Sequence, residues 1–336
     1  MAEVPLAGNR TSHHRPGGGF QNPWPDTGLS RFGDFLRWRL VERRSHPITA
    51  NPPRDSLPRR RPAIAAPRAV HGYRSVTWVG HATALLQLGP VNVLTDPMWS
   101  ERASPFQWLG PCRLMSPGVD FEALPPLDVV LLSHNHYDHL DAGTVRRIAH
   151  RFPAAPWLCP LGLGKLLQSL GVRTIIERDW WQSFESPTFS ATCAPAQHFS
   201  ARGIRDRNDT LWSGWVIQAD GVRVLFAGDT ALHPAFADIG TRLGPFDLVM
   251  LPIGAYEPRW FMRPVHMNPE DAVAAYRALV DGTGAAPPCF VMHWGTFRLT
   301  DEPVEEPPAR FAQRWRDAGL PGDANWTLAH GETRRF

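Results

Sequence analysis

Lysine is all but missing from this 336-residue chain: Lys165 stands alone, and the other 34 basic residues are arginine. The base composition of the encoding genome accounts for the arginine excess but not for its position. Residues 1–75 hold 13 arginines against five acidic residues, a balance of +8, while the rest of the chain stands at −5 and the whole at +3. A basic arm on a mildly acidic body suits an anionic surface, either lipid or nucleic acid. Cysteine is scarce as well. Cys112, Cys159, Cys193 and Cys289 include no C-x-x-C pair, which argues against a zinc ribbon or a thioredoxin-like site. Dispersed thiols of this kind fit reduced, buried residues of a cytoplasmic protein. No apolar run approaches the roughly 18 residues that a membrane-spanning helix needs. The first residues lack the charged-then-apolar pattern of a secretory leader, so secretion is not expected.

What is present is globular: 43% hydrophobic residues, with 14 Trp and 17 Phe, exclude disorder over the whole chain. Residues 1–20, rich in Gly, His and Arg, are expected to lack fixed structure. Gly28 to Arg44 suits a helix with Phe32, Phe35, Leu36, Trp38 and Leu40 on one side. Pro47 to Pro67 suits an extended linker. From Ser75 the pattern changes to short apolar runs, expected as strands at 75–79, 82–88, 91–95, 128–132, 188–194, 211–219, 222–226, 247–251 and 289–292. Helical patterns fall at 141–150, 162–170, 234–243 and 269–280, the last opened by Asn268 and Pro269. Strand-rich halves with intervening helices predict an α/β (α+β) fold, a two-sheet αββα sandwich over residues 75–336, preceded by an N-terminal extension over 1–74.

The segment from Ser133 to Asp141 reads S-H-N-H-Y-D-H-L-D, directly after an apolar strand. It sets three imidazoles and a carboxylate within six residues at a sheet rim that solvent can reach. Those donors suit zinc, and also iron or manganese. His134 and His136 can point one way while Asp138 and His139 reach a neighbouring position, so one loop can serve two metals. A solvated polar turn is the rival reading, and H-x-H-x-D-H at a strand end makes it a poor one. Further donors also follow apolar strands: His198, Asp229 in Ala227-Gly228-Asp229-Thr230, and His293 in Met292-His293-Trp294-Gly295.

This pattern resembles the metallo-β-lactamase superfamily, and more closely the N-acylphosphatidylethanolamine-hydrolysing phospholipase D family. The closer match is carried by Asn22-Pro23-Trp24-Pro25, Leu94-Thr95-Asp96-Pro97, the 133–141 loop, the run from Pro252 to Met262 and His293-Trp294-Gly295-Thr296-Phe297. The resemblance implies two zinc ions: His134, His136 and His198 on one, Asp138, His139 and His293 on the other, and Asp229 bridging. It implies that Tyr137 and His266 contact the phospholipid, and that Gln107 and Trp108 sit at the substrate mouth, where the family has a Gln-Tyr pair. The expected reaction is attack on phosphorus by a water oriented by Asp138 and Asp229, with His266 giving a hydrogen bond or proton to the leaving oxygen. Asp96 and His81 are expected to support ligands from behind. The segment 98–109 suits an apolar entrance, and Trp180-Trp181 suits packing only. Another phosphodiester, a lactone or, further off, an RNA is the alternative substrate; no nucleic-acid partner is expected, because the body is net negative. A homodimer, and a cytoplasmic location with peripheral contact to the anionic inner face of the membrane, complete the expectation.

Overall fold

The computed structural model describes residues 13–24, 32–43, 48–203 and 205–336. Two seven-stranded sheets face each other. The first is built from β1 (Arg74–Gly80), β2 (Thr83–Leu88), β3 (Val91–Thr95), β4 (Val129–Leu131), β5 (Trp157–Pro160) and β6 (Ile175–Arg178), with β14 (Thr333–Arg335) added beside β1. The second holds β7 (Ser183–Glu185), β8 (Phe189–Ala194), β9 (Gly214–Ala219), β10 (Val222–Phe226), β11 (Leu248–Pro252), β12 (Cys289–Met292) and β13 (Asn325–Trp326), in spatial order 13-12-11-10-9-8-7.

Alternation along the strands separates two cores. Leu86, Val93, Val129 and Leu131 point into the space between the sheets, in the same cluster as Trp215, Ile217 and Val224 of the second sheet. Their neighbours Leu85, Leu94, Val130 and Leu132 point the other way, onto α2 (Ala142–Arg151) and α3 (Gly164–Ser169) through Val145, Ile148 and Leu167. The second sheet is covered by α4 (Ala235–Leu243), α6 (Pro269–Val280) and α7 (Glu306–Asp317), which bury Phe236, Tyr276, Phe311 and Trp315. The architecture is the expected αββα sandwich. Asn268 caps α6 as its position suggested, accepting a hydrogen bond from Asp271 N at 2.9 Å.

Strand direction places the site. β3 through β6 pair in parallel, and so do β10 through β13. Two antiparallel steps make β1 parallel to β3, and two more make β8 parallel to β10. The ends of β1, β3, β4, β8, β10, β11 and β12 therefore open on one rim.

The N-terminal extension departs from expectation. Residues 13–20 form a turn packed on the body, with His13 and Phe20 buried. The helix expected over 28–44 falls partly outside the described residues; within them it is α1 (Phe32–Arg37), continued by a π-helical turn over Trp38–Glu42. Of its apolar residues Trp38 is buried, whereas Phe35, Leu36, Leu40 and Val41 face solvent. Cys112 is exposed, unlike the other three free thiols. A final helix, α5 (Arg259–Met262), forms one wall beside the rim.

Hydrogen bonds tie the two sheets at the rim, among them one in which Trp215 Nε1 on β9 donates to the Leu132 carbonyl, just past β4, at 2.7 Å, with both residues fully buried. Trp215→Phe keeps the ring but orphans that carbonyl. It should cost about 1–3 kcal/mol in a urea unfolding titration; a loss under about 0.5 kcal/mol would mean that the carbonyl finds another partner.

Candidate metal centre

Seven donors from four strand ends converge on the rim. His134 Nε2 lies 2.8 Å from His136 Nδ1, which lies 3.2 Å from His198 Nε2. Beside them, His139 Nε2 lies 3.2 Å from His293 Nε2, and Asp138 Oδ2 lies 3.3 Å and 3.5 Å from the same two nitrogens. Asp229 Oδ2 stands between the sets, 3.1 Å from both His139 Nε2 and His293 Nε2 and 3.8 Å from His198 Nε2.

The tautomers are set from behind. His198 Nδ1 donates to the Val265 carbonyl at 2.9 Å, so its Nε2 carries the lone pair. His139 Nδ1 lies 2.6 Å from Asp96 Oδ2, and His134 Nδ1 lies 2.8 Å from Ser133 Oγ, which leaves both Nε2 atoms aimed into the cluster. Asp96 also accepts hydrogen bonds from Ser133 N and Oγ. His81 Nε2 contacts Asp138 Oδ2 at 2.8 Å, so it supports a carboxylate rather than an imidazole. The backbone is strained along this rim: His81, Asp96, Ala255 and His293 all have positive φ, at 55°, 31°, 65° and 63°.

The donor set fits divalent metal. Imidazole nitrogens face each other at contact distance within each set, and Asp229 Oδ1 is buried with no hydrogen-bond partner. A cation satisfies all of them, whereas a single shared proton does not.

Burial pushes the pKa of His136 down to about 3 and that of His198 to about 4, and holds His134 and His266 well below the usual value. His139 and His293 behave differently. Burial opposes their charge as well, but the carboxylates of Asp229 and Asp138 overcome it, holding His139 well above 6.5 and raising His293 to about 9. Those imidazolium partners in turn keep Asp138 and Asp229 ionised against burial.

A family model described as the Beta-lactamase superfamily domain matches residues 91–294. The N-acylphosphatidylethanolamine-hydrolysing phospholipase D 1 of Caenorhabditis elegans is 43% identical over 242 residues, 69% of this chain and 67% of its own. The chain belongs to that phospholipase family, within the metallo-β-lactamase superfamily. It is a metal-dependent hydrolase. An uncharacterised protein of Mycobacterium tuberculosis is 44% identical over 282 residues, covering 82% of this chain and 72% of its own. The mitochondrial N-acylphosphatidylethanolamine-hydrolysing phospholipase D of Saccharomyces cerevisiae is 31% identical over 238 residues, covering 69% of this chain and 49% of its own. A metallo hydrolase of Ignicoccus hospitalis shares the fold, with a TM-score of 0.58 at 23% identity, covering 78% of this chain and 98% of its own.

The family's remaining expected contacts divide. His266 is buried beside the cluster, its Nδ1 4.0 Å from Asp229 Oδ2. Tyr137 borders a cavity that opens beside His136, Asp138, Asp229 and His266, but its hydroxyl is spent on the Arg202 carbonyl at 2.8 Å. Gln107 and Trp108, expected at the substrate mouth, are not among the residues that line the cavity. The Gln107 amide closes on the backbone of Arg102, Trp108 is 74% exposed, and their loop offers Ala103 to the cavity instead. Three supporting groups were not expected. Arg202 holds the ligand loop through the carbonyls of Asn135 and Leu140, and its guanidinium covers the Tyr137 ring. Ser133 precedes the motif and could have been suspected from that position; Asn22, whose side chain donates to the His198 carbonyl at 2.9 Å, lies in a segment that carries the family resemblance, but nothing local to it points to His198.

The charge on His293 has a measurable consequence. Its folded pKa of about 9 exceeds the ordinary 6.5, so the stabilisation is full below pH 6.5 and is lost as pH rises through 9. Metal-free protein should thus melt at lower temperature as pH climbs across that interval, with His139 adding to the effect. Loading with zinc near neutral pH should expel protons. Calorimetric titration in buffers of different ionisation enthalpy reads this directly; identical heats in every buffer would contradict it.

Proposed function

We propose that this chain is a two-zinc phosphodiesterase of phospholipase D type, cleaving N-acylphosphatidylethanolamine to N-acylethanolamine and phosphatidic acid. The observation that carries the reading is a cavity of about 730 Å³ with His136, Asp138, Asp229 and His266 at its polar end. Phe35, Trp38, Phe199, Phe261, Met262, Val265 and Leu299 supply its apolar lining. A diester with long acyl chains needs that division: polar groups for the phosphate and apolar walls for the chains. The relatives named above for this reaction support the same substrate class.

In this reading His134, His136 and His198 would hold one ion and Asp138, His139 and His293 the other, with Asp229 available to both. The metals, when bound, acidify water and neutralise charge on phosphoryl oxygens. The protein's own groups supply the rest. Asp138, steadied by His81, and Asp229 accept hydrogen bonds from the attacking water and fix its direction. His266, kept neutral by burial, donates a hydrogen bond to the oxygen that leaves. Apolar walls hold the acyl chains and exclude bulk water.

Peripheral membrane contact belongs to the same proposal. No helix among the described residues is long and apolar enough to cross a membrane. Phe35 joins the cavity lining to the solvent-facing Leu36, Leu40 and Val41, and Trp260 is exposed near them on α5. A lipid can leave the bilayer along such a surface without its chains crossing water.

Mass spectrometry of products from zinc-loaded protein and N-acylphosphatidylethanolamine in mixed micelles tests the reaction. Release of N-acylethanolamine with phosphatidic acid, abolished in His136→Ala, is the expected result. Absence of release from a protein carrying two metals would discard this lipid and leave another phosphodiester or a lactone. His266→Ala should lower kcat by 10²-fold or so while both metals stay bound; unchanged turnover would remove His266 from the reaction.

A further inference from the structure

Residues 13–24 belong to neither sheet and supply none of the seven converging donors. They turn back on themselves, with Arg15 N donating to Gly19 O and Gln21 N to His13 O, and dock through Phe20 N on Asn208 O. One end of the segment is fastened to a distant carboxylate: His13 Nε2 lies 2.7 Å from Asp179 Oδ1, and His14 Nε2 lies 2.8 Å from Asp179 Oδ2. The other end reaches the metal centre. Asn22 holds the His198 carbonyl, and Trp24 stacks on His233 and Trp180 at centroid distances of 4.4 Å and 5.7 Å.

We propose that His13, His14 and Asp179 form a third divalent-cation site, separate from the catalytic pair, which latches the N-terminal segment to the body. Each residue contributes one donor atom, and the three atoms lie within 4.8 Å of one another. Consecutive residues of an extended chain turn their side chains to opposite faces. Here both rings converge on one carboxylate, their centroids 4.6 Å apart. A hydrogen-bonded anchor needs one imidazole; this joint brings two, one to each oxygen. His13 is locked by burial and by stacking on Trp180 at 4.1 Å, while His14 is exposed and leaves the joint open to ions from solvent.

The nearby arginines do not compete for Asp179. Arg178 Nε donates to the Ser183 carbonyl, and Arg15 reaches the carbonyls of Arg207 and Asn208, so neither pairs with this carboxylate among the described residues. Two imidazoles and one carboxylate suit a borderline ion such as zinc, nickel or cobalt better than magnesium or calcium. Through Asn22 the latch steadies the backbone of His198, which couples a remote ion to the reaction centre without touching substrate.

The test counts metal in full-length protein carrying no affinity tag, equilibrated with zinc at buffered submicromolar free concentration. The readout is the difference between wild type and His14→Gln, which keeps a hydrogen-bond donor toward Asp179 but removes the imidazole. One zinc fewer per chain in His14→Gln, and likewise in Asp179→Asn, is the expected result, with near-ultraviolet circular dichroism unchanged in His14→Gln. Equal zinc content in wild type and His14→Gln overturns the proposal and leaves a purely hydrogen-bonded latch. Because His14 is exposed and outside both cores, loss of folding does not obscure the comparison, and the difference does not depend on how many ions the catalytic centre holds.

Discussion

The carboxylate of Asp229 is the point on which the site depends. One oxygen lies within 3.1 Å of two imidazoles of one ligand set and 3.8 Å from an imidazole of the other, and it does so while almost wholly buried. An isolated carboxylate there would be neutralised by burial. It stays ionised because His139 and His293 answer it, and they stay protonated because it and Asp138 answer them. The cluster is therefore a mutual arrangement of charges, each too costly to bury alone. A divalent ion replaces the imidazolium protons within the same geometry.

Such a cluster has to be held, and the fold does so with main chain. Parallel strands from both sheets end on one rim, so their first polar residues meet without long loops. The strained backbone at His81, Asp96, Ala255 and His293 shows how sharply the chain turns to present them. Gly254 allows part of that turn, since a Cβ there would stand 2.1 Å from the His293 carbonyl oxygen. Asp96, Ser133 and the Val265 carbonyl then fix which nitrogen of each imidazole faces inward.

Legibility in the sequence followed range. The ligand loop lies in one continuous stretch after a strand of unbroken apolar residues, so both motif and strand can be read from neighbours alone. His198, Asp229 and His293 each repeat the same local signature. β5 and β6 are not legible because each has only four residues, with Pro160 closing β5, and so short a run carries no alternation that distinguishes a strand from a loop. α7 was missed because two prolines open it and polar residues dominate it, although Phe311 and Trp315 bury its inner side. The segment at 13–24 reads as polar and irregular, and its order comes from Asp179, Trp180, His198 and Asn208, contacts that no local pattern announces. At Gln107 and Trp108 the limit is of another kind: a matching position in a loop does not fix the side chain's direction, and here the amide closes on Arg102.

Charge at the floor of the cavity also explains why protein groups alone are insufficient for an anionic substrate. Asp138 and Asp229 are ionised, His266 is held neutral by burial, and the positive charge on His139 and His293 is consumed in pairing with those carboxylates. A phosphate diester meeting that surface encounters no net attraction. Divalent metal held by the same residues, as proposed, would reverse the sign, and the low-dielectric apolar walls would then strengthen the attraction. The apolar lining acts on the same balance, because it keeps away the water that would screen those charges.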